Sequence, residues 1–176
     1  TLFAPCVSNA ANVTLYYSPS CPHCHHAREF FRDRVAYEYP TVSITAVNVM
    51  DPENLPEFRS VLEKCELSSG GVPVIVVGEK CFQGYASFMG DEIRDAVAID
   101  MTDDQRRIAN ENKSALDSDA DAFRSAHAAR ANAIIERSDV TSEKKNDRGG
   151  NPIYFYGLII VLIAVLGFVL VGHRKK

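Results

Sequence analysis

The chain has 176 residues, 46% hydrophobic and 24% charged, which excludes wholesale disorder, collagen-like repeats and a polytopic membrane protein. A formal net charge of -4 excludes a strongly basic nucleic-acid binder. Five cysteines are too few for a disulfide-dense scaffold, and their odd number leaves one over.

Residues 1–11 read as a signal-peptide remnant or an N-terminal extension. Ser8 and Ala10 stand at the small positions that precede a cleavage site, and removal of this stretch would take Cys6 with it. Val13 to Tyr17 is apolar and β-prone, and Val42 to Val49 is rich in β-branched residues, so both are expected to be strands. Helical signal fills the gap from Pro22 to about Tyr37. A second helix is expected near Asn54, with Glu57 completing its cap and Leu55, Phe58, Val61 and Leu62 on one face. Pro73 to Val77 is a buried-strand run, followed after Gly78-Glu79 by a short strand through Cys81 and Phe82. A last helix covers Phe88 to Ile99. The order β-α-β-α-β-β-α over residues 12–99 implies an α/β domain, a central mixed sheet flanked by helices.

Beyond it the composition changes. Between residues 101 and 150, 19 of 50 residues are charged, and nine alanines fall between Ala109 and Ala133. Thr102 and Gln105 have the spacing of a capping box. A helix from there to Asp139 would be roughly 55 Å long. Ala109, Leu116 and Phe123 recur every seven residues until Arg130 breaks the series. The expectation for residues 100–140 is a charged helical stalk, either a lone solvated helix or a coiled coil. Residues 141–152 end in Gly-Gly-Asn-Pro and read as a hinge linker. Residues 153–172 are twenty consecutive residues without a charge, long enough for a transmembrane helix of about 30 Å, and residues 173–176 form a basic tail. Arg174, Lys175 and Lys176 argue for a cytoplasmic C-terminus, although Lys144, Lys145 and Arg148 flank the other side. The expected localisation is a single-pass membrane protein whose N-terminal domain is periplasmic or lumenal.

The chemistry concentrates at Cys21-Pro22-His23-Cys24, between the first strand and the first helix. A helix N-terminus stabilises a thiolate, so Cys21 is the candidate nucleophile and Cys24, one turn on, the resolving thiol. His23 adds a polar, partly cationic group beside the thiolate, and Pro22 suits the first turn, where its missing donor costs nothing. Half of a structural zinc site and a static bridge are the competing readings, but no second C-x-x-C follows. Cys65 and Cys81, sixteen apart, are a candidate second disulfide, acting as a staple or an electron relay, or else two free thiols. A staple would contribute about 3 kcal/mol. His25 and His26 with the dithiol allow a copper reading against the blander one of surface histidines. No metal site is assigned.

Val13 to Cys24, with Gly71-Val72-Pro73-Val74-Ile75-Val76-Val77-Gly78 and Gly84, resembles the thioredoxin superfamily, its glutaredoxin branch in particular. The resemblance covers residues 12–99. It implies a thioredoxin-like fold and a cis proline at Pro73 beside the dithiol, with Val72 and Pro73 binding the substrate backbone. Pro-His between the cysteines looks like that of exported disulfide-forming oxidants, whereas glutaredoxins typically carry Pro-Tyr. Ser18-Pro19 replaces a lysine that helps hold glutathione, which leaves glutathione use open. Leu15 stands where thioredoxins carry a buried aspartate. The expected function is a membrane-anchored thiol–disulfide oxidoreductase acting on protein thiols or disulfides, with no cofactor beyond its redox-active disulfide. Its expected partners are those proteins, the bilayer, and a membrane complex or membrane redox partner, with no nucleic acid. The alternatives are an accessory or assembly subunit that docks through this domain, and copper or metal delivery.

Overall fold

A computed structural model describes residues 11–137, which lie in one compact unit, Thr1–Ser138. Strand β1 (Asn12–Tyr17) leads through a tight turn into α1 (Pro22–Phe30). A π-helical turn (Phe31–Val35) carries the same helix into α2 (Ala36–Glu38). Then follow β2 (Ser43–Asn48), α3 (Leu55–Lys64), β3 (Val74–Val77), β4 (Lys80–Gln83), a 3-10 turn (Ser87–Met89) and α4 (Gly90–Ala98). The chain goes on through α5 (Asp103–Ser118), α6 (Ala120–Ala126) and a second 3-10 turn (Ala128–Asn132) to β5 (Ile134–Glu136).

The five strands form one mixed sheet in the order β4-β3-β1-β2-β5. Strand β1 runs parallel to β2 and antiparallel to β3, so the central strand is paired on both edges. Alternation along the strands then sorts the side chains to two faces. Val13, Leu15, Ile44, Ala46, Ile75 and Val77 point to one, where Cys24, Ala27, Phe31 and Val35 of the first helix meet them with Ile93, Ala96 and Val97 of α4. Tyr16, Val47, Val49 and Val74 point to the other, against Phe58 of α3. This is a thioredoxin-like α/β fold. Each fully buried Leu, Ile or Phe stabilises it by about 1.5–3 kcal/mol. Gly90 is where α4 starts hard against the first helix, since a Cβ there would lie 3.3 Å from the Phe30 ring.

Residues 103–137 are not a free stalk, and the domain does not stop at residue 99. The capping box of Thr102 and Gln105 starts α5, but the helix ends at Ser118. At Asp119 the backbone leaves the helical region (φ -153°, ψ 89°), and its carboxylate accepts the Ala122 amide at 3.0 Å to start α6. The seven-residue spacing of Ala109, Leu116 and Phe123 is an internal packing stripe: the first two are buried in the main core and Phe123 packs against it. Arg130 has its own task. Its guanidinium donates to the carbonyls of Ala36 (2.8 Å), Tyr39 and Val42, while Asn112 Nδ2 donates to those of Tyr37 (3.2 Å) and Glu38 (3.3 Å). Helix C-termini leave carbonyls without intrahelical donors, and these two side chains supply them. Strand β5 then pairs in parallel with β2, Ile44 opposite Ile134.

One further expectation fails locally. Asn54 makes no side-chain cap on α3. Glu57 instead accepts from Tyr16 Oη at 2.6 Å and pairs with Arg137, a tie across the sheet from one face. The hinge, the apolar stretch 153–172, the tail and residues 1–10 lie outside the described residues. Among the described residues no helix is long and apolar enough to cross a membrane.

Candidate active site

Strand β1 ends at Tyr17, and the turn after it closes with the Cys21 amide donating to the Ser18 carbonyl at 3.1 Å. Cys21 is the N-cap of α1, with extended backbone (φ -90°, ψ 116°), and Pro22 occupies the first turn. The cap is made by sulfur: the Cys24 amide donates to Cys21 Sγ at 3.2 Å. A helix N-terminus thus directs an N–H, shared with the Cys21 carbonyl at 3.1 Å, at the sulfur of the residue proposed as nucleophile.

The two cysteines differ in environment. Cys21 is half-buried at the surface and Cys24 is buried, and both are free thiols. Burial pushes the Cys24 thiol from 9.0 up to about 12, and its contact with Cys21 adds to the shift, while the Ser18 backbone and Arg28 oppose it. On the far side of Cys21 its thiol donates to the Val72 carbonyl across 3.5 Å. The Val72–Pro73 peptide bond is cis. The loop before it is fastened to β4 by Gln83, whose Nε2 donates to the carbonyls of Ser69 (2.9 Å) and Gly71 (3.3 Å). Cys21, Cys24, Val72 and Pro73 therefore come together at one end of the sheet.

The histidines point elsewhere. His23 is exposed and lines a cleft of about 600 Å³ with His26, Phe30, Tyr85 and Ser87. The stacked rings of Phe30 and Tyr85, centroids 5.4 Å apart, lie among its lining residues. His25 Nε2 lies 3.1 Å from the Pro19 carbonyl oxygen, and His26 Nδ1 lies 3.6 Å from Glu29. Among the described residues no three of His, Cys, Asp and Glu are grouped so as to hold a metal ion. Cys65, at the end of α3, and Cys81, in β4, are joined by a disulfide.

Two polar groupings escape reading from the sequence. Glu38 is fully buried and receives Arg94 Nε at 2.7 Å and Arg34 Nε at 2.9 Å. Arg28 is paired with Glu136, and its guanidinium carbon lies 4.3 Å from the centroid of the Tyr17 ring. The Cys24-to-Arg28 spacing of four, one helical turn on a shared face, was the available signal for the second grouping.

A glutaredoxin from Archaeoglobus fulgidus, known from its crystal structure, is 23% identical over 51% of this chain and 88% of that chain, with a TM-score of 0.38. No curated protein matches the chain significantly. The glutaredoxin family model matches residues 13–82, a span that holds the dithiol, Val72-Pro73, Cys65 and Cys81, so the chain contains a glutaredoxin-like domain.

Proposed function

We propose that the protein is a thiol–disulfide oxidoreductase acting on protein thiols or disulfides through Cys21 and Cys24. The observation that carries this is the asymmetry of the pair: a half-exposed sulfur at a helix N-cap, and a buried thiol whose own amide donates to it at 3.2 Å. In the reductive direction the Cys21 thiolate attacks a substrate disulfide, a mixed disulfide forms and one substrate thiolate leaves. Cys24 then loses its proton and bonds to Cys21 Sγ. The Cys21–substrate bond breaks, and the second substrate sulfur departs as a thiolate and takes up a proton. The dithiol is oxidised and the substrate disulfide reduced by two electrons; the oxidative direction runs the same steps backwards. Pro22 shapes the first turn, His23 stands at the mouth of the neighbouring cleft, and Val72 and Pro73 hold the substrate backbone beside Cys21. No cofactor beyond the dithiol is required. Reduction of insulin disulfides by the full chain tests this: activity is expected to vanish in Cys21→Ser, and an unchanged rate overturns the reading.

The same proposal places the domain outside the cytoplasm, anchored by residues 153–172 with the basic tail inside. The uncharged run of twenty residues supports the anchor. The Cys65–Cys81 disulfide supports an oxidising compartment, periplasmic or lumenal. Membrane association that survives alkaline carbonate is expected of the full chain, and release into the wash would contradict the anchor.

A further inference from the structure

Cys24 is the sulfur that must lose a proton for the cycle to close, and its surroundings are unfavourable for that. It is 1% exposed, in a core built of Leu15, Ala27, Phe31 and Ile75. Among the described residues the buried polar or charged side chains are Ser18, Glu38 and Asn54. Glu38 lies fourteen residues further along the helix, roughly 21 Å away, and is already bound to two arginines. Leu15, on the central strand beside the pair, offers no base.

One cationic side chain, Arg28, opposes the effect of burial on this thiol. Arg28 sits a turn beyond Cys24 on the same helical face, where side chains at i and i+4 are neighbours. It is held from two directions, against the Tyr17 ring and by Glu136. The Tyr17 hydroxyl donates to the other Glu136 oxygen at 2.9 Å, which closes a ring of three side chains from β1, α1 and β5. The arginine and glutamate side chains are 33% and 22% exposed, so the pair is partly shielded from water. An ordinary arginine at this place would extend to solvent. This one is turned inward by a carboxylate brought from more than a hundred residues away.

We propose that the Arg28–Glu136 pair governs the reactivity of the resolving sulfur, Arg28 stabilising the Cys24 thiolate as it forms and Glu136 acting as the positioning residue for Arg28. Strand β5 then completes the active site. The inference rests on the redox reading above and concerns its second step alone. Arg28 stays charged throughout and exchanges no proton; the Cys24 proton goes to solvent. Cys21, the Ser18 backbone and Arg28 are the polar groups that act on that sulfur, and Tyr17 and Glu136 hold Arg28.

The test separates the two steps in the full chain. A fluorescent cysteine peptide is attached through a disulfide to Cys21, and its release by Cys24 is followed by stopped flow near neutral pH. Attack by Cys21 on the disulfide of the same peptide is measured in Cys24→Ser protein. Arg28→Gln is expected to slow release by about 3–10-fold, Glu136→Gln by a smaller factor, and Arg28→Lys to restore it to within about twofold. Attack is expected to change by less than about twofold in the same variants. Unchanged release in Arg28→Gln, or equal slowing of both steps, overturns the inference and leaves the redox reading standing. Should Arg28→Gln not fold, slower release in Glu136→Gln with near-normal release in Arg28→Lys supports the proposal, and normal release in both variants overturns it. A wild-type adduct that never releases peptide overturns the redox reading itself.

Discussion

Leu116 of α5 is buried in the same core as Cys24 of the dithiol helix, although 92 residues separate them in the chain. The charged, alanine-rich segment is thus part of the body that holds the site. Leu116→Ala is expected to destabilise the domain by about 2–5 kcal/mol, measured by urea denaturation of the full chain. A free stalk would leave the transition where it was.

The capping of the first helix gives a second test of the same point. Removing Arg130 strips donors from three carbonyls at and just beyond the end of α2. Arg130→Ala is expected to cost about 1–3 kcal/mol. An effect within about 0.5 kcal/mol, as for ordinary surface substitutions, would contradict this role.

The reduced protein has a stability that depends on alkaline pH. The Cys24 thiol titrates at 9.0 when free and is pushed up to about 12 when folded. Between those values the unfolded chain has released the proton and the folded chain keeps it, so stability present below about pH 9 is lost as pH rises. The slope is at most about 1.4 kcal/mol per pH unit. Tyr16 and Tyr39, also raised by burial, act in the same direction in both redox states. The oxidised form has no Cys24 thiol. Its stability relative to the reduced form should therefore grow above about pH 9, and a gap independent of pH would contradict the burial of Cys24.

Cys65–Cys81 separates a staple from a relay. The double change to serine is expected to lower stability by about 3 kcal/mol while thiol–disulfide exchange at Cys21 continues. Loss of turnover in a protein that remains folded would instead assign the second pair to electron transfer.

What was legible in the sequence was local. The order of strand, CPHC and helix uses adjacent residues, and the apolar, β-prone runs Val13–Tyr17 and Pro73–Val77 mark buried strands. Residues 103–137 were harder because they bury little per turn. Among the sixteen residues of α5 only Ala109 and Leu116 are buried, so the pattern reads as solvated. Strand β5 has three residues, too few for a period of two to show. Arg130 and Asn112 act as caps on carbonyls 74 to 94 residues away, and no local rule connects such positions. Glu57 has the spacing of a helix cap, but Tyr16 and Arg137 claim its carboxylate, and both arrive through the sheet. Arg28 could be marked from Cys24 by helical spacing; Glu136 could not.

The central claim is that Cys21 is the attacking sulfur and Cys24 the resolving one. The most direct measurement is mass-spectrometric mapping of the adduct formed when reduced Cys24→Ser full-length protein meets a protein disulfide. The account predicts a stable mixed disulfide on Cys21, absent when Cys21 is also replaced by serine. An adduct confined to Cys65 or Cys81, or none at all, would contradict it.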